Sequence, residues 1–325
     1  MELSTKHTLR FNKDGKFRIL MTSDLQETVN YDERALKGLH AMIDAEKPDL
    51  VIFGGDNCDG RYLKTREELE TYLKVFSAPM EEKKIPWMHV FGNHDYDVDV
   101  PAAEQNEMYR SYEHCVSGVS PEGVPGVTNY ALPVLASTSD HIAYCIYAFD
   151  TMHKDVTFRN GTVTVDDLMI GGKKEANRKW DFVRFEQLLW YWNTSKELEA
   201  KEGKLVRSMA VMHVPPHEMD LCIKYHENVD FKGEFDEKLQ CGVANSGIYA
   251  TMLQRGDVDI IAAGHLHKDT VDTVYGGIRL CLDGCAGFSP KSDDSRRGGR
   301  VFEINEDGSH STYWIAIKDL IDITK

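Results

Sequence analysis

Five short motifs occur in a fixed order along this chain, each where an apolar run gives way to Gly, Asp or His. They are Asp24-Leu25-Gln26, Gly55-Asp56-Asn57, Gly92-Asn93-His94-Asp95, Met212-His213-Val214 and Gly264-His265-Leu266-His267. Taken singly, a Gly-Asp pair or an isolated His is far more often a turn or a satisfied core residue than a ligand. Together they offer carboxylates, an amide oxygen and imidazoles, a donor mixture that suits Mn, Fe, Zn or Co rather than a thiolate zinc site. Donors spread from Asp24 to His267 must converge on a point. Most of the chain therefore has to fold around one site, which favours a single domain over residues 1–325 with insertions at about 97–129 and 152–180.

The spacing of apolar residues says how the motifs are carried. Leu9 and Phe11, then Phe17, Ile19 and Met21, alternate on either side of Asp14-Gly15, which predicts a hairpin over Thr8 to Met21 whose second strand delivers Asp24. If extended geometry persists past that strand, Asp24 and Gln26 face the same way. Leu36, Leu39 and Ile43 recur at helical spacing before Pro48, and the run Leu50-Val51-Ile52-Phe53 follows, giving a βαβ unit. The pattern repeats with a helix near Arg66 to Phe76 and a strand Trp87 to Phe91. Further strands are expected at Ala143–Phe149, Val206–Met212, Val258–Ala263 and Ile278–Leu282, and further helices at Phe182–Leu198 and Ser246–Arg255. A terminal hairpin over Glu303 to Ala316 turns at Asp307-Gly308, while Phe288 to Gly299 reads as a loop. Four motifs thus follow apolar strands directly, which is where open α/β sheets place their ligands.

Composition narrows the partners. With 53 Asp and Glu against 38 Lys and Arg, the formal charge of −15 repels polyanions, so general nucleic-acid binding is not expected and a small phosphorylated substrate is. Seven scattered cysteines without a Cys-x-x-Cys pair point to reduced thiols and, with no signal-like or membrane-length apolar run in the sequence, to a cytoplasmic location away from membranes. The aromatic cluster Trp180, Phe182, Phe185, Trp190, Tyr191 and Trp192 has helical spacing and reads as core rather than a base-stacking platform.

The motif series resembles the calcineurin-like metallophosphoesterases, whose signature runs Asp-x-His, Gly-Asp, Gly-Asn-His-Asp/Glu, His, Gly-His-x-His. The departure is Gln26, which stands where that family usually has histidine. Pro86-Trp87, Tyr130-Ala131-Leu132-Pro133-Val134, Asn245-Ser246-Gly247-Ile248-Tyr249 and Gly276-Gly277-Ile278 extend the resemblance to a branch related to purple acid phosphatases. The resemblance implies an α/β fold of the α+β type, a four-layer αββα sandwich of two mixed β-sheets flanked by helices. It also implies two divalent metal ions, Mn, Fe or Zn, at strand C-terminal ends.

Carried over residue by residue, the resemblance puts Asp24, Asp56 and His267 on one ion and Asp56, Asn93, His213 and His265 on the other, with Gln26 a weakened ligand of the first or a donor to its water. Two such ions lower the pKa of a shared water and clamp phosphoryl oxygens for in-line attack. His94 would then act as acid or phosphate stabiliser. Asp59 stands where plant purple acid phosphatases carry their colour-giving tyrosine, so no purple colour is expected. It would orient His94, or else form an Asx turn in Asn57-Cys58-Asp59-Gly60. Arg61, Arg296 and Arg297 are candidates for phosphate, Tyr96 and His217 for the pocket wall. The expected activity is phosphoester hydrolysis, phosphomonoesters favoured. The alternatives are phosphodiester or nucleotide pyrophosphate cleavage, and a scaffold that keeps the fold without catalysis.

Overall fold

In the computed structural model, residues 7–153, 157–158, 163–164, 180–236, 238 and 240–324 are described. Most of the expected insertion 152–180 lies outside them. Two mixed sheets face each other. The smaller runs β15-β14-β2-β3-β4, with β2 Lys16–Thr22, β3 Leu50–Gly54, β4 Trp87–Val90, β14 Gly298–Asn305 and β15 His310–Ala316. The larger runs β1-β5-β6-β9-β11-β13-β12-β10. Its strands are β1 Leu9–Arg10, β5 Tyr130–Leu135, β6 Ile142–Ala148, β9 Arg207–Met212, β10 Phe231–Lys232, β11 Val258–Ala263, β12 Asp272–Tyr275 and β13 Ile278–Leu282. A separate ribbon pairs β7 Thr157–Phe158 with β8 Val163–Thr164.

Period-two alternation explains the layering. Phe17, Ile19 and Met21 of β2, Ile52 of β3 and Met88 and Val90 of β4 meet Ile146, Met209, Val211, Ile260 and Ala262 of the other sheet in a buried core between the two. The opposite faces are covered by helices. Leu20, Val51 and Phe53 pack with α1 Glu33–Glu46, α2 Arg66–Lys83 and α3 Ala102–Arg110. Tyr147, Ala210, Met212, Ile261 and Leu280 pack with α4 Phe185–Glu202, α5 Glu218–Lys224 and α6 Ile248–Arg255. The result is the four-layer αββα sandwich. Local signals start the first two helices: Asp32 caps α1 by accepting from the Arg34 N–H, and Thr65 with Glu68 forms a capping box on α2.

Several expectations need correction. Thr8 to Met21 is not a hairpin: β1 joins the larger sheet beside β5 and β2 joins the smaller one. The turn is real, with the Gly15 N–H donating to Asn12 O and the Asn12 N–H to Lys16 O. Leu9, Phe11, Phe17, Ile19 and Met21 all feed the same inter-sheet core, so the chain crosses between layers instead of pairing with itself. α2 runs on to Lys83 with Pro79 inside it, because burying Tyr72, Leu73, Phe76 and Met80 offsets the hydrogen bond a proline forfeits. β5, β10, β12, α3 and α5 are elements the periodicity did not reveal. β5 tolerates Pro133 opposite Cys145.

Among the described residues no helix is long and apolar enough to cross a membrane. All seven cysteines are buried free thiols.

Candidate dinuclear metal centre

Five strand ends aim at one place. β2, β3 and β4 are neighbouring parallel strands in one sheet, and β9 and β11 are neighbouring parallel strands in the other. Asp24, Asp56 and Asn93 follow the first three, His213 and His265 the last two. Each donor therefore leaves a C-terminal edge, and the two edges meet across the sandwich.

The backbone at these positions is unusual. Asp24, Gln26, Asp56 and His265 have φ of 52°, 42°, 48° and 74°. Non-glycine residues held in the left-handed region concentrate at functional sites, where the surrounding structure supports the strain. Here the support is a ladder past the strand ends, with the Asp24 N–H donating to Gly55 O and the Gln26 N–H to Asp56 O, each at 3.0 Å. Asp24 and Gln26 thus face the centre through left-handed turns, not through the continued extension the sequence suggested. Gly92 and Gly264 are required by close approach: a Cβ would meet the amide and carboxylate of Asp56 in the first case and Ser23 Oγ in the second.

Ligand atoms of Asp56, His213 and His265 lie within 4.8 Å of one another, as do those of Asp24, Asp56 and His267. Asp56 belongs to both groups. Asn93 Oδ1, His213 Nε2 and His265 Nε2 are buried and make no hydrogen bond. Buried polar atoms are rarely left so, because each one costs about 1–3 kcal/mol. Three of them around one carboxylate fit a divalent ion. His213 Nδ1 donates to Gly54 O at 3.0 Å, which leaves Nε2 as the coordinating nitrogen. Nε2 is 3.3 Å from Asp56 Oδ2 without the alignment of a hydrogen bond. Burial opposes charge on His213, but Asp56 and Asp24 outweigh it and push the imidazole up to about 10. Burial and the neighbouring His213 hold His265 down at about 3. Asp56 and Asp24 stay below the usual carboxylate range: burial opposes this, and His213 overcomes it. Without an ion, then, a proton on His213 offsets the two carboxylates.

The buried Asp95 carboxylate locks two motif turns together, accepting from the N–H groups of Gly92 at 2.8 Å and Asn57 at 3.0 Å. The Asp56 Oδ1 atom accepts from the His94 N–H at 2.7 Å, and Asp24 Oδ2 accepts from the His265 N–H at 2.8 Å and from Ser23 Oγ at 2.7 Å. The ligands are thus oriented by groups they do not share with an ion.

His94 lies at the rim, its Nδ1 2.7 Å from Asp97 Oδ2. Asp59 is engaged elsewhere: its two oxygens take Arg61 Nε and Nη2, each at 2.8 Å, and Oδ1 also accepts the Arg61 N–H as an Asx turn. Arg61 in turn reaches Gln26 Oε1 at 3.5 Å, bringing one candidate phosphate ligand to the centre. Tyr96 donates to Asp150 Oδ2 at 2.8 Å. Arg296 is surrounded by Glu234 at 2.5 Å, Asp236 at 3.0 Å and Asp293 at 3.8 Å. Arg297 is buried and directed at Asp294, Gly287 O and Pro290 O, so it pins the loop rather than facing the donors. His217 bonds Gly242 O at 2.8 Å and lines a small pocket with Thr151, Asp181 and Asn245; none of the metal donors lines it.

Sequence reasoning missed Asp97, His153 and Trp180. His153 Nε2 is 3.0 Å from the other oxygen of Asp97, and Trp180 packs edge-on against the His265 ring at 4.8 Å. Of the aromatic cluster, Tyr191 is core and Trp190 packs against it, but Phe185 is exposed and Trp180 belongs to the centre. Asp97 carries a signal of its own, an acid one turn beyond the histidine of Gly-Asn-His-Asp.

Residues 17–269 match the family model for calcineurin-like phosphoesterases. The chain is 26% identical to "Probable inactive purple acid phosphatase 14" of Arabidopsis thaliana, over 87% of this chain and 73% of the relative. It is 26% identical to "Phosphatase DCR2" of Saccharomyces cerevisiae, over 94% of this chain and 54% of that one. A solved dimetal phosphatase from Danio rerio shares the fold, with a TM-score of 0.58 at 13% identity over 91% of this chain and 98% of that one. A family-model match that covers most of the chain leads to one assignment: the chain belongs to the calcineurin-like phosphoesterase family.

Proposed function

We propose that this metallophosphoesterase hydrolyses phosphomonoesters of small molecules at the centre around Asp56, with His94 delivering the proton to the leaving oxygen. The observation that carries the reading is the set of buried, unsatisfied donors Asn93 Oδ1, His213 Nε2 and His265 Nε2 beside a carboxylate common to two ligand groups. Asp24, Asp56 and His267 would hold one divalent ion, and Asp56, Asn93, His213 and His265 the other. When bound, the two ions supply an activated water and neutralise phosphoryl charge.

The residues of the chain do the rest. Asp97 accepts from His94 Nδ1 and so orients the ring, and the Nε2 proton of the imidazolium is the one delivered to the leaving oxygen. Arg61, half exposed beside the donors, offers a guanidinium to a terminal phosphate. The chain's net charge of −15 favours a compact phosphate over a polyanion. Retention of the donor set and of the Asp97–His94 pair supports catalysis over a scaffold role.

The test compares an aryl phosphomonoester with an aryl phosphodiester as substrates of protein refilled in turn with Mn, Fe, Co or Zn. Faster monoester turnover that falls about 10²–10⁴-fold in His94→Ala is the expected result. Faster diester turnover would replace this reading with the phosphodiesterase one, and two bound ions without turnover of either ester would favour the scaffold.

A further inference from the structure

The substitution that sets this chain apart from its family's motif does more than remove an imidazole. Gln26 is about 1% exposed, and its amide nitrogen sits 2.8 Å from Asp56 Oδ2 and 3.4 Å from Asp24 Oδ1, both acceptors, and 3.1 Å from His267 Nε2. Those three side chains are the ligand group of the first ion. On the other side of the amide, Gln26 Oε1 is 3.5 Å from Arg61 Nη2, and Arg61 is clamped through two 2.8 Å contacts by Asp59.

An amide is oriented by its partners. Turned half a rotation, Gln26 would set its carbonyl oxygen against two carboxylates and its NH₂ against a guanidinium. Both contacts would be repulsive, so the partners on the two faces agree on the same orientation. The Asp59–Arg61 pair therefore acts at a distance on the metal group, by keeping the Gln26 oxygen outward and its N–H donors inward. The second ligand group holds no such amide: Asn93 Oδ1, His213 Nε2 and His265 Nε2 make no hydrogen bond, and an ion there has only a proton on His213 to displace.

We infer that Gln26, held by Arg61 and Asp59, is an amide plug in the first metal position, so that the two positions bind divalent ions with unequal affinity and fill in order, second position first. This rests on the dinuclear reading above and adds to it that only the first position must be cleared of a side chain before an ion enters. Displacing the plug means breaking the hydrogen bonds from Gln26 to Asp56 and Asp24 and turning the amide away from Arg61. Outer partners of this kind change metal affinity by about 10–100-fold.

The experiment is titration of metal-stripped, full-length protein with Mn or Zn by calorimetry, with bound metal counted after gel filtration. The wild-type protein is expected to take one ion tightly and a second about 10–100-fold more weakly. Gln26→His should bring the weak step close to the tight one. Arg61→Met should tighten the weak step alone, because a released amide can turn its oxygen inward, whereas loss of a nearby positive charge by itself would tighten both steps. Arg61 is half exposed, so neither Arg61→Met nor the charge-keeping Arg61→Lys removes core packing.

Two equally tight ions in the wild type would overturn this inference and leave the dinuclear reading standing. So would tightening by Gln26→His with no change in the ratio of the two steps for Arg61→Met. Absence of any tight ion would overturn the dinuclear reading itself, and the plug with it.

Discussion

The Nδ1 atom of His94 lies 2.7 Å from Oδ2 of Asp97, and the other oxygen of that carboxylate lies 3.0 Å from Nε2 of His153. One acid three residues beyond the motif histidine thus holds two imidazoles. Asp59, the residue that family resemblance suggested for this task, is bound to Arg61 instead.

Asp97→Asn should therefore cost activity. Asparagine preserves the shape but offers His94 one oxygen or one N–H donor in place of a carboxylate, and the loss expected for a misoriented acid is about 10²–10⁴-fold in kcat. Metal content should stay at the wild-type value in this variant. Equal turnover in Asp97→Asn and wild type would remove Asp97 from the mechanism.

Stability of the metal-free protein should fall as pH rises from about 6.5 to about 10. The folded His213 is pushed up to about 10 by Asp56 and Asp24 against the penalty of burial, above the unfolded value near 6.5. The folded state therefore binds the extra proton in that window, and the stabilisation is complete below about pH 6.5 and lost through pH 10. Ions compete with that proton, so the gain in Tm on adding metal should grow with pH over the same window. Melting curves with chelator and with metal at several pH values read both slopes; parallel curves would contradict the account.

His89 predicts the acid limb. Burial, with Arg110 nearby, holds its imidazole down at about 3, while its ring stacks on Tyr109 at 4.1 Å. A folded value below the unfolded one means that stability is full above about pH 6.5 and declines as pH falls toward 3. His89→Phe should flatten that decline, measured as the slope of unfolding free energy against pH from denaturant titrations. An unchanged slope would assign acid sensitivity elsewhere.

Arg300 and Asp283 form a buried pair at 2.7 Å, with Arg300 also donating to Thr270 O at 2.9 Å and Val271 O at 3.1 Å. Arg300→Met strands the Asp283 carboxyl in the core and should destabilise by about 3–5 kcal/mol. Adding Asp283→Leu should recover part of that loss. Urea unfolding of the three proteins checks it; a single variant as stable as the wild type would mean that Asp283 protonates at little cost.

The sheets were legible because short apolar runs ending in Gly, Asp or His carry both a period and a stop. β11 and β13 match their expected bounds, and the strands before Asp24, Asp56, Asn93, His213 and His265 all exist. Partner choice was not legible. The alternation of Leu9 and Phe11 is the same whether β1 pairs with β2 or with β5, and the decision lies in a core assembled from residues more than a hundred positions away. The donors were readable as a set from motif order, but their support was not: Trp180 reaches His265, and Arg297 reaches the carbonyls of Gly287 and Pro290, only after the fold forms. Gln26 was visible as a departure, whereas its engagement by Asp56 on one side and Arg61 on the other needed three dimensions.

The most direct test of the central claim is turnover of an aryl phosphomonoester by the protein before chelation, after removal of its metals, and after refilling, with Asp56→Ala run in parallel. Asp56 stands in both ligand groups, so one substitution strikes both positions at once. The account predicts that activity disappears on chelation, returns with added divalent ions, and returns in none of the refilled Asp56→Ala samples. Activity that survives complete removal of metal, or that refilled Asp56→Ala recovers to the wild-type rate, would contradict it.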